Sequence, residues 1–140
     1  MIRKARSDDE EAIWPLARAL ATSSTPTQGG FHRAFHAILQ DRRSAVLVAA
    51  DDDRILGYVH VLSHPAFHAD GNIAWIEELF VDEEHRGTGI GRALMRAAER
   101  WARAEVQASY MALATRRAAA FYQAIGYTES ASYFRRSLRS

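Results

Sequence analysis

Arg86-Gly87-Thr88-Gly89-Ile90-Gly91 is the stretch of this chain whose residue types and spacing point most directly to chemistry. A helix leaves its first N–H groups unpaired and carries partial positive charge at that end, so a helix N-terminus is a ready anion site. Alternate glycines keep side chains out of the way and let the backbone reach the φ > 0 conformations that gather N–H groups into a nest, and Arg86 adds a cation. The geometry suits a pyrophosphate. It is not a Walker loop, because no Lys-Ser or Lys-Thr follows the last glycine, and its Gly-x-Gly-x-Gly spacing fits the dinucleotide fingerprint poorly. The remaining reading is a glycine-rich strand-to-helix turn with no ligand.

The elements around the loop must position it. Ile73 to Val81 reads as the strand leading in, after an Asp70-Gly71-Asn72 turn. Ile90, Leu94, Ala97 or Ala98 and Trp101 recur at helical spacing, with Arg92, Arg96, Glu99, Arg100 and Arg103 facing outward, so the helix leading out is strongly amphipathic. Upstream, Ile2 to Arg6 reads as a short strand. Ser7 and Glu10 read as a capping box for a helix through Ile13, Leu16 and Leu20, which Pro15 should shorten or distort. Thr22 to Gly30 reads as a loop, and a helix of about ten residues should follow from Phe31 and end near Asp41. Ala45 to Ala50 and Ile55 to Leu62 form a hairpin across Asp51-Asp52-Asp53, closed by Pro65. Downstream, the pattern gives a strand from Ser109 to Leu113, a helix from Arg116 to Ile125 stopped by Gly126, and a return to extended structure from Tyr127 to Leu138. The order implies one domain over residues 1–140, an α/β fold with a mixed sheet of parallel and antiparallel strands.

Composition narrows the function classes. The chain has 140 residues, 48% hydrophobic and 25% charged, enough for one buried core. Its 18 Lys and Arg nearly balance 17 Asp and Glu, so no global field would recruit nucleic acid or an anionic membrane. With no cysteine there are no disulfides, no thiolate metal ligands and no cysteine nucleophile. A reducing, cytoplasmic compartment fits. The N-terminus lacks the apolar core of a signal peptide, and no apolar run approaches the roughly 20 residues of a spanning helix.

Three segments together resemble the GNAT superfamily of acyl-CoA N-acyltransferases. They are the block from Ile76 through Glu77-Glu78-Leu79-Phe80-Val81 to Gly91, the strand and turn Met111-Ala112-Leu113-Ala114-Thr115, and Ala119-Ala120-Phe121-Tyr122-Gln123-Ala124-Ile125-Gly126-Tyr127. The resemblance covers essentially the whole chain in element order. It implies a twisted mixed sheet flanked by about four helices and splayed between the fourth and fifth strands, with acetyl-CoA as cosubstrate and its pantetheine arm in the gap. It also implies that the backbone of Leu79, Phe80 and Val81 pairs with pantetheine. The pyrophosphate would be held by Arg86, Gly87, Thr88, Gly89, Ile90 and Gly91, with Arg92 and Thr115 completing the donor site. Arg116 and Arg117 could also touch the phosphates. Relatives often place Asn where this chain has Ala114-Thr115, which puts the usual side-chain bond to pantetheine in doubt.

Acetyl transfer needs a base for the ammonium, a stabilised oxyanion and an acid for the departing thiolate. By family position Tyr122 is the candidate acid, since a phenol of reference pKa about 10 can donate to a thiolate of about 8.5. Glu77 is the candidate base, and strand alternation sends it to the face opposite Glu78, so one of the two should face the acceptor. The expected reaction is direct transfer to a primary amine of a small molecule in a ternary complex. Acetylation of a protein lysine or N-terminal amine, or a CoA-sensing domain without turnover, are the alternatives. The acceptor walls, Thr22 to Phe31 and the C-terminal strand, carry little recognisable chemistry; a homodimer is one way to complete them. His32 and His36 are four apart on a helix, and His60, His64 and His68 recur at fours across a strand and loop. No Glu follows His32 in the zincin manner, so the histidines read as scattered surface or packing residues and no metal is expected.

Overall fold

The computed structural model describes residues 1–22 and 24–139. Its elements in chain order are β1 (Ile2–Lys4), α1 (Glu10–Leu20), α2 (Gln28–Gln40), β2 (Ser44–Asp51), β3 (Arg54–Ala66), β4 (Gly71–Val81), α3 (Ile90–Ala104), β5 (Ala108–Leu113) and α4 (Ala119–Ala124), with short 3₁₀ turns at Ser7–Asp9, Phe67–Ala69 and Glu83–His85. The sheet order is β1-β2-β3-β4-β5. The first four strands pair antiparallel, and β5 returns parallel to β4 after the α3 crossover. This is the mixed, four-helix α/β sheet that the sequence pattern implied.

Alternation along the strands divides the core between two faces. Leu47, Val59, Val61 and Ile76 point toward α3, where Leu94, Met95, Ala98 and Trp101 complete the larger cluster. Val46, Val48 and Tyr58 point the other way, under Ile13 of α1 and Phe35 of α2. Because β2 is covered on both faces it reads in sequence as an unbroken apolar run rather than an alternating one.

Several boundaries differ from the sequence reading, each for a physical reason. The Ser7–Glu10 capping box does not form. Asp9 instead accepts from the Arg6 N–H at 2.8 Å and from both Arg3 guanidinium nitrogens at 2.7 and 3.0 Å, which leaves the Glu10 side chain free to reach α2. Pro15 does not interrupt α1; it and Glu11, whose carbonyl loses a partner, are both exposed, so solvent can serve that carbonyl. Helix α2 starts before Phe31 because Thr27 Oγ1 accepts the Gly30 N–H at 3.0 Å and draws Gly29 and Gly30 out of the expected loop. Ser23 of that loop lies outside the described residues.

Strand β3 runs through Pro65 rather than closing there. Its last ladder pair with β2 is Ser44↔Leu62, and the Ser63 N–H still reaches the Arg43 carbonyl at 2.8 Å, but Pro65 lies past both, so its missing N–H costs no bond to β2. The helix expected from Arg116 begins at Ala119, after a turn in which Thr115 Oγ1 accepts the Ala118 N–H at 3.0 Å. The largest departure is C-terminal. Among the described residues no strand follows α4, so the sheet has five strands rather than six. Tyr133, Phe134 and Leu138 are exposed, and Tyr133 stacks on Trp75 with ring centroids 6.3 Å apart. The residue types of that segment favour a strand, but a strand exists only where an edge receives it.

Candidate active site

Strand β4 outruns β5. The last pair between them is Ile76↔Leu113, so residues 77–81 continue with no β5 partner and leave backbone groups open on that side. This is the splay between the fourth and fifth strands. A β-bulge sits at its start: pairing passes from Val61↔Ile76 to His60↔Glu78, which leaves Glu77 as the extra residue. The bulge resets the alternation. Leu79 and Val81 pack on the α3 cluster, while Phe80 packs on the α1–α2 cluster.

The glycine loop follows. Gly87 and Gly89 have φ of +79° and +90°, and a Cβ on either would meet nothing within 4 Å. These two glycines are needed for backbone conformation and leave clear space in front of the first turn of α3. Gly91 has a different role. A Cβ there would lie 3.3 Å from Phe121 Cζ and 3.8 Å from Val81 Cγ2, so its bareness lets the end of β4, the start of α3 and α4 meet. Arg86 is pinned rather than loose: its Nε donates to the Val81 carbonyl at 3.0 Å and its guanidinium lies 5.0 Å above the Phe80 ring. The Thr88 hydroxyl donates to the His85 carbonyl and closes the turn.

Two tyrosines follow on and after α4, and they differ. The Tyr127 hydroxyl donates to Glu99 Oε2 at 2.6 Å, and burial together with that carboxylate raises its pKa. Half-buried Tyr122 stands edge-on to Phe121 at 5.0 Å, and its hydroxyl has no hydrogen-bond partner among the described residues. Burial raises its pKa, so it stays a protonated donor well above neutral pH. Thr115 is committed to its turn. Arg92 lines a cleft of about 310 Å³ with Arg96, Glu99 and Gly126, and Arg116 and Arg117 are exposed before α4.

The opposite, α1–α2 face of the sheet carries a polar group that sequence reasoning passed over, Tyr58, beside the glutamate pair and His60. Glu77 is exposed, whereas Glu78 is half-buried and accepts from the Tyr58 hydroxyl at 2.7 Å. Burial raises the Glu78 pKa, the Tyr58 bond opposes this, and the Glu77 charge adds to the rise. His60 pairs across from Glu78 in the ladder; its Nε2 is buried without a partner, and burial lowers its pKa. The signal in the sequence was Tyr58 and His60, two polar side chains two apart within the apolar run from Ile55 to Leu62. The bulge that turns Glu78 toward them was not visible. Nor are all the histidines scattered: His32 and His36 both meet Glu10 of α1, with ring nitrogens donating to Oε2 and Oε1 at 2.7 and 2.8 Å.

Comparison with known proteins gives this arrangement relatives. The chain matches the acetyltransferase (GNAT) family over residues 10–127. It is 40% identical over 65 residues to aminoglycoside N(6')-acetyltransferase type 1 of Klebsiella aerogenes, a stretch that covers 44% of this chain and 43% of that protein. The match thus spans less than half of that relative's length. Among solved structures, glucosamine-6-phosphate N-acetyltransferase of Arabidopsis thaliana superposes with a TM-score of 0.85 at 19% identity, covering 99% of this chain and 98% of that one. An aminoglycoside antibiotic 6'-N-acetyltransferase of Acinetobacter haemolyticus superposes with a TM-score of 0.80 at 19% identity, covering 99% of each chain. At these identities the structural likeness is one of fold.

Proposed function

This chain belongs to the acetyltransferase (GNAT) family, and we propose that it moves the acetyl group of acetyl-CoA onto a primary amine of a small molecule by direct transfer in a ternary complex. The observation that carries this reading is the meeting at Gly91 of the open end of β4, the bare first turn of α3 and the helix bearing Tyr122. The nest from Arg86 to Gly91 takes the pyrophosphate on backbone N–H groups, and the unpaired edge of residues 77–81 takes the pantetheine arm. Because the Arg86 Nε already occupies the Val81 carbonyl, Leu79 and Phe80 offer the freer stretch of backbone. Arg92 lies in the first turn of α3, on the cleft beside α4, in reach of the more distal donor groups.

Chemistry then needs few groups, and most of the acceleration is positioning. The acceptor amine arrives as an ammonium and must lose a proton before it attacks. A carboxyl whose pKa is raised by burial is a better proton acceptor near neutrality than an exposed one, which favours Glu78 over Glu77 for that step. Glu77, exposed at the bulge, then serves as a local negative charge for a cationic acceptor. Tyr122, protonated and unpartnered, donates to the departing thiolate. With no cysteine in the chain, an acyl-cysteine intermediate has no place to form. The aminoglycoside relative supports an acceptor bearing amines on a polar scaffold.

The test is thiol release from acetyl-CoA across a panel of aminoglycosides, polyamines and amino sugars. At least one small amine is expected to turn over, and Tyr122→Phe to lower kcat by about 10²-fold with acetyl-CoA affinity retained. Acetyl-CoA binding without turnover of any amine in the panel would reject the small-molecule reading, and an unchanged kcat in Tyr122→Phe would remove the acid.

A further inference from the structure

We propose that Glu10, His32 and His36 form a binding site for one divalent first-row transition-metal ion, zinc above all, at the seam between α1 and α2. The two histidines are four apart on α2, a spacing that places both rings on one face of the helix, and their centroids are 4.5 Å apart. The carboxylate comes from the first turn of the neighbouring helix. One nitrogen from each ring and a carboxylate oxygen all lie within 4.8 Å of one another. Two imidazole nitrogens and one carboxylate are a donor set that zinc takes with a fourth position left open. Metal–ligand bonds of about 2.0–2.2 Å put neighbouring ligand atoms about 3.3 Å apart in a tetrahedron. The present contacts of 2.7 and 2.8 Å therefore need only a small opening to admit an ion.

The surroundings suit such a site. The side chains of Glu10, His36 and His32 are 22%, 36% and 58% exposed, so an ion has an entry path and room for water as a further ligand. Beneath them, Phe35 stands edge-on to His36 at 5.6 Å and stacks with Phe31 at 5.5 Å, and Phe31 meets Trp14 of α1 at 5.3 Å. That aromatic floor holds the two helices in register whether or not the ion is present. On binding, each ring nitrogen that now donates to Glu10 must offer its lone pair, so its proton moves to the other ring nitrogen or leaves to solvent. The ion would staple α1 to α2 over the sheet face that carries Tyr58, His60 and Glu78.

Untagged protein stripped with a chelator and titrated with Zn²⁺ by calorimetry is expected to take up one ion per chain. The double variant His32→Gln/His36→Gln and the single variant Glu10→Gln should each bind at least about 10- to 100-fold more weakly, since loss even of a group that only orients a ligand has that effect. X-ray absorption on the zinc-loaded wild type should report two imidazoles, a measurement that stands even where a variant fails to fold. Absence of saturable binding, undiminished binding in the folded double variant, or a zinc shell with fewer than two imidazoles would overturn the site. The cluster would then be a hydrogen-bonded clasp and nothing more.

Discussion

The two faces of the sheet are built differently. The α3 face is dry: Leu94 and Met95 at 0% and 1% exposure meet Val59, Val61 and Ile76, and the parts beside it that would hold the donor are mostly backbone, the bare first turn of α3 and the unpaired end of β4, with Tyr122 the one reactive side chain packed against it. The α1–α2 face has a smaller apolar centre around Ile13, Phe35 and Val48, and side chains supply its chemistry: Tyr58, His60 and Glu78 on the strands, Glu10, His32 and His36 on the helices. A donor common to a whole family can be held by backbone, whereas an acceptor has to be read by side chains. On this account the first face carries the donor and the second the acceptor.

Changes on each face should break one function and spare the other. The largest effect is expected from Glu78→Gln, which should lower kcat/KM for the amine by about 10²- to 10⁴-fold, with a much smaller loss in Glu77→Gln. A larger loss in Glu77→Gln than in Glu78→Gln would return the base to Glu77. The same change should raise the melting temperature at neutral pH. The Glu78 pKa is higher folded than unfolded, so ionisation works against the fold: stability associated with its protonated form is full below the unfolded pKa and is lost as pH rises through the folded value. The gain in Glu78→Gln should therefore vanish when melting is followed into acid.

On the dry face, Leu94→Ala should cost about 2–5 kcal/mol in urea unfolding without altering the order of preference among acceptors. Gly89→Ala makes φ of +90° cost about 1–2 kcal/mol, so the free loop should relax out of that conformation and acetyl-CoA must restore it on binding; affinity should then fall about 5- to 30-fold in a binding titration while the KM for the amine holds. The smallest effect belongs to the edge where β1 meets α1. Asp9→Asn should cost about 1 kcal/mol at neutral pH. Arg3 holds the Asp9 pKa below the usual carboxylate range, so this contribution is present above the unfolded pKa and is lost as pH falls through the folded one. Urea melts of the two proteins should converge in strong acid.

What could be read from the amino-acid sequence follows the same division. The glycine loop is contiguous and its amphipathic helix announces itself by period, so the mixed sheet, α3 and the positive-φ turn before it were legible without coordinates. The polar face was not. Glu10 lies 22 residues before His32, and Tyr58 lies 20 before Glu78, separations that no local pattern spans. The bulge at Glu77 is a property of the pairing between β3 and β4, so strict alternation could name two glutamates but not say which one would be buried. The C-terminal segment failed for a related reason, since residue types specify willingness to be a strand and the sheet decides whether an edge is offered.

The division of labour is tested most directly by calorimetric titration of acetyl-CoA into the wild type, Gly89→Ala and Glu78→Gln. Donor affinity is expected to fall about 5- to 30-fold in Gly89→Ala and to stay unchanged in Glu78→Gln, although Glu78→Gln has lost most of its amine turnover. A Glu78→Gln protein that binds acetyl-CoA as poorly as Gly89→Ala would contradict that division.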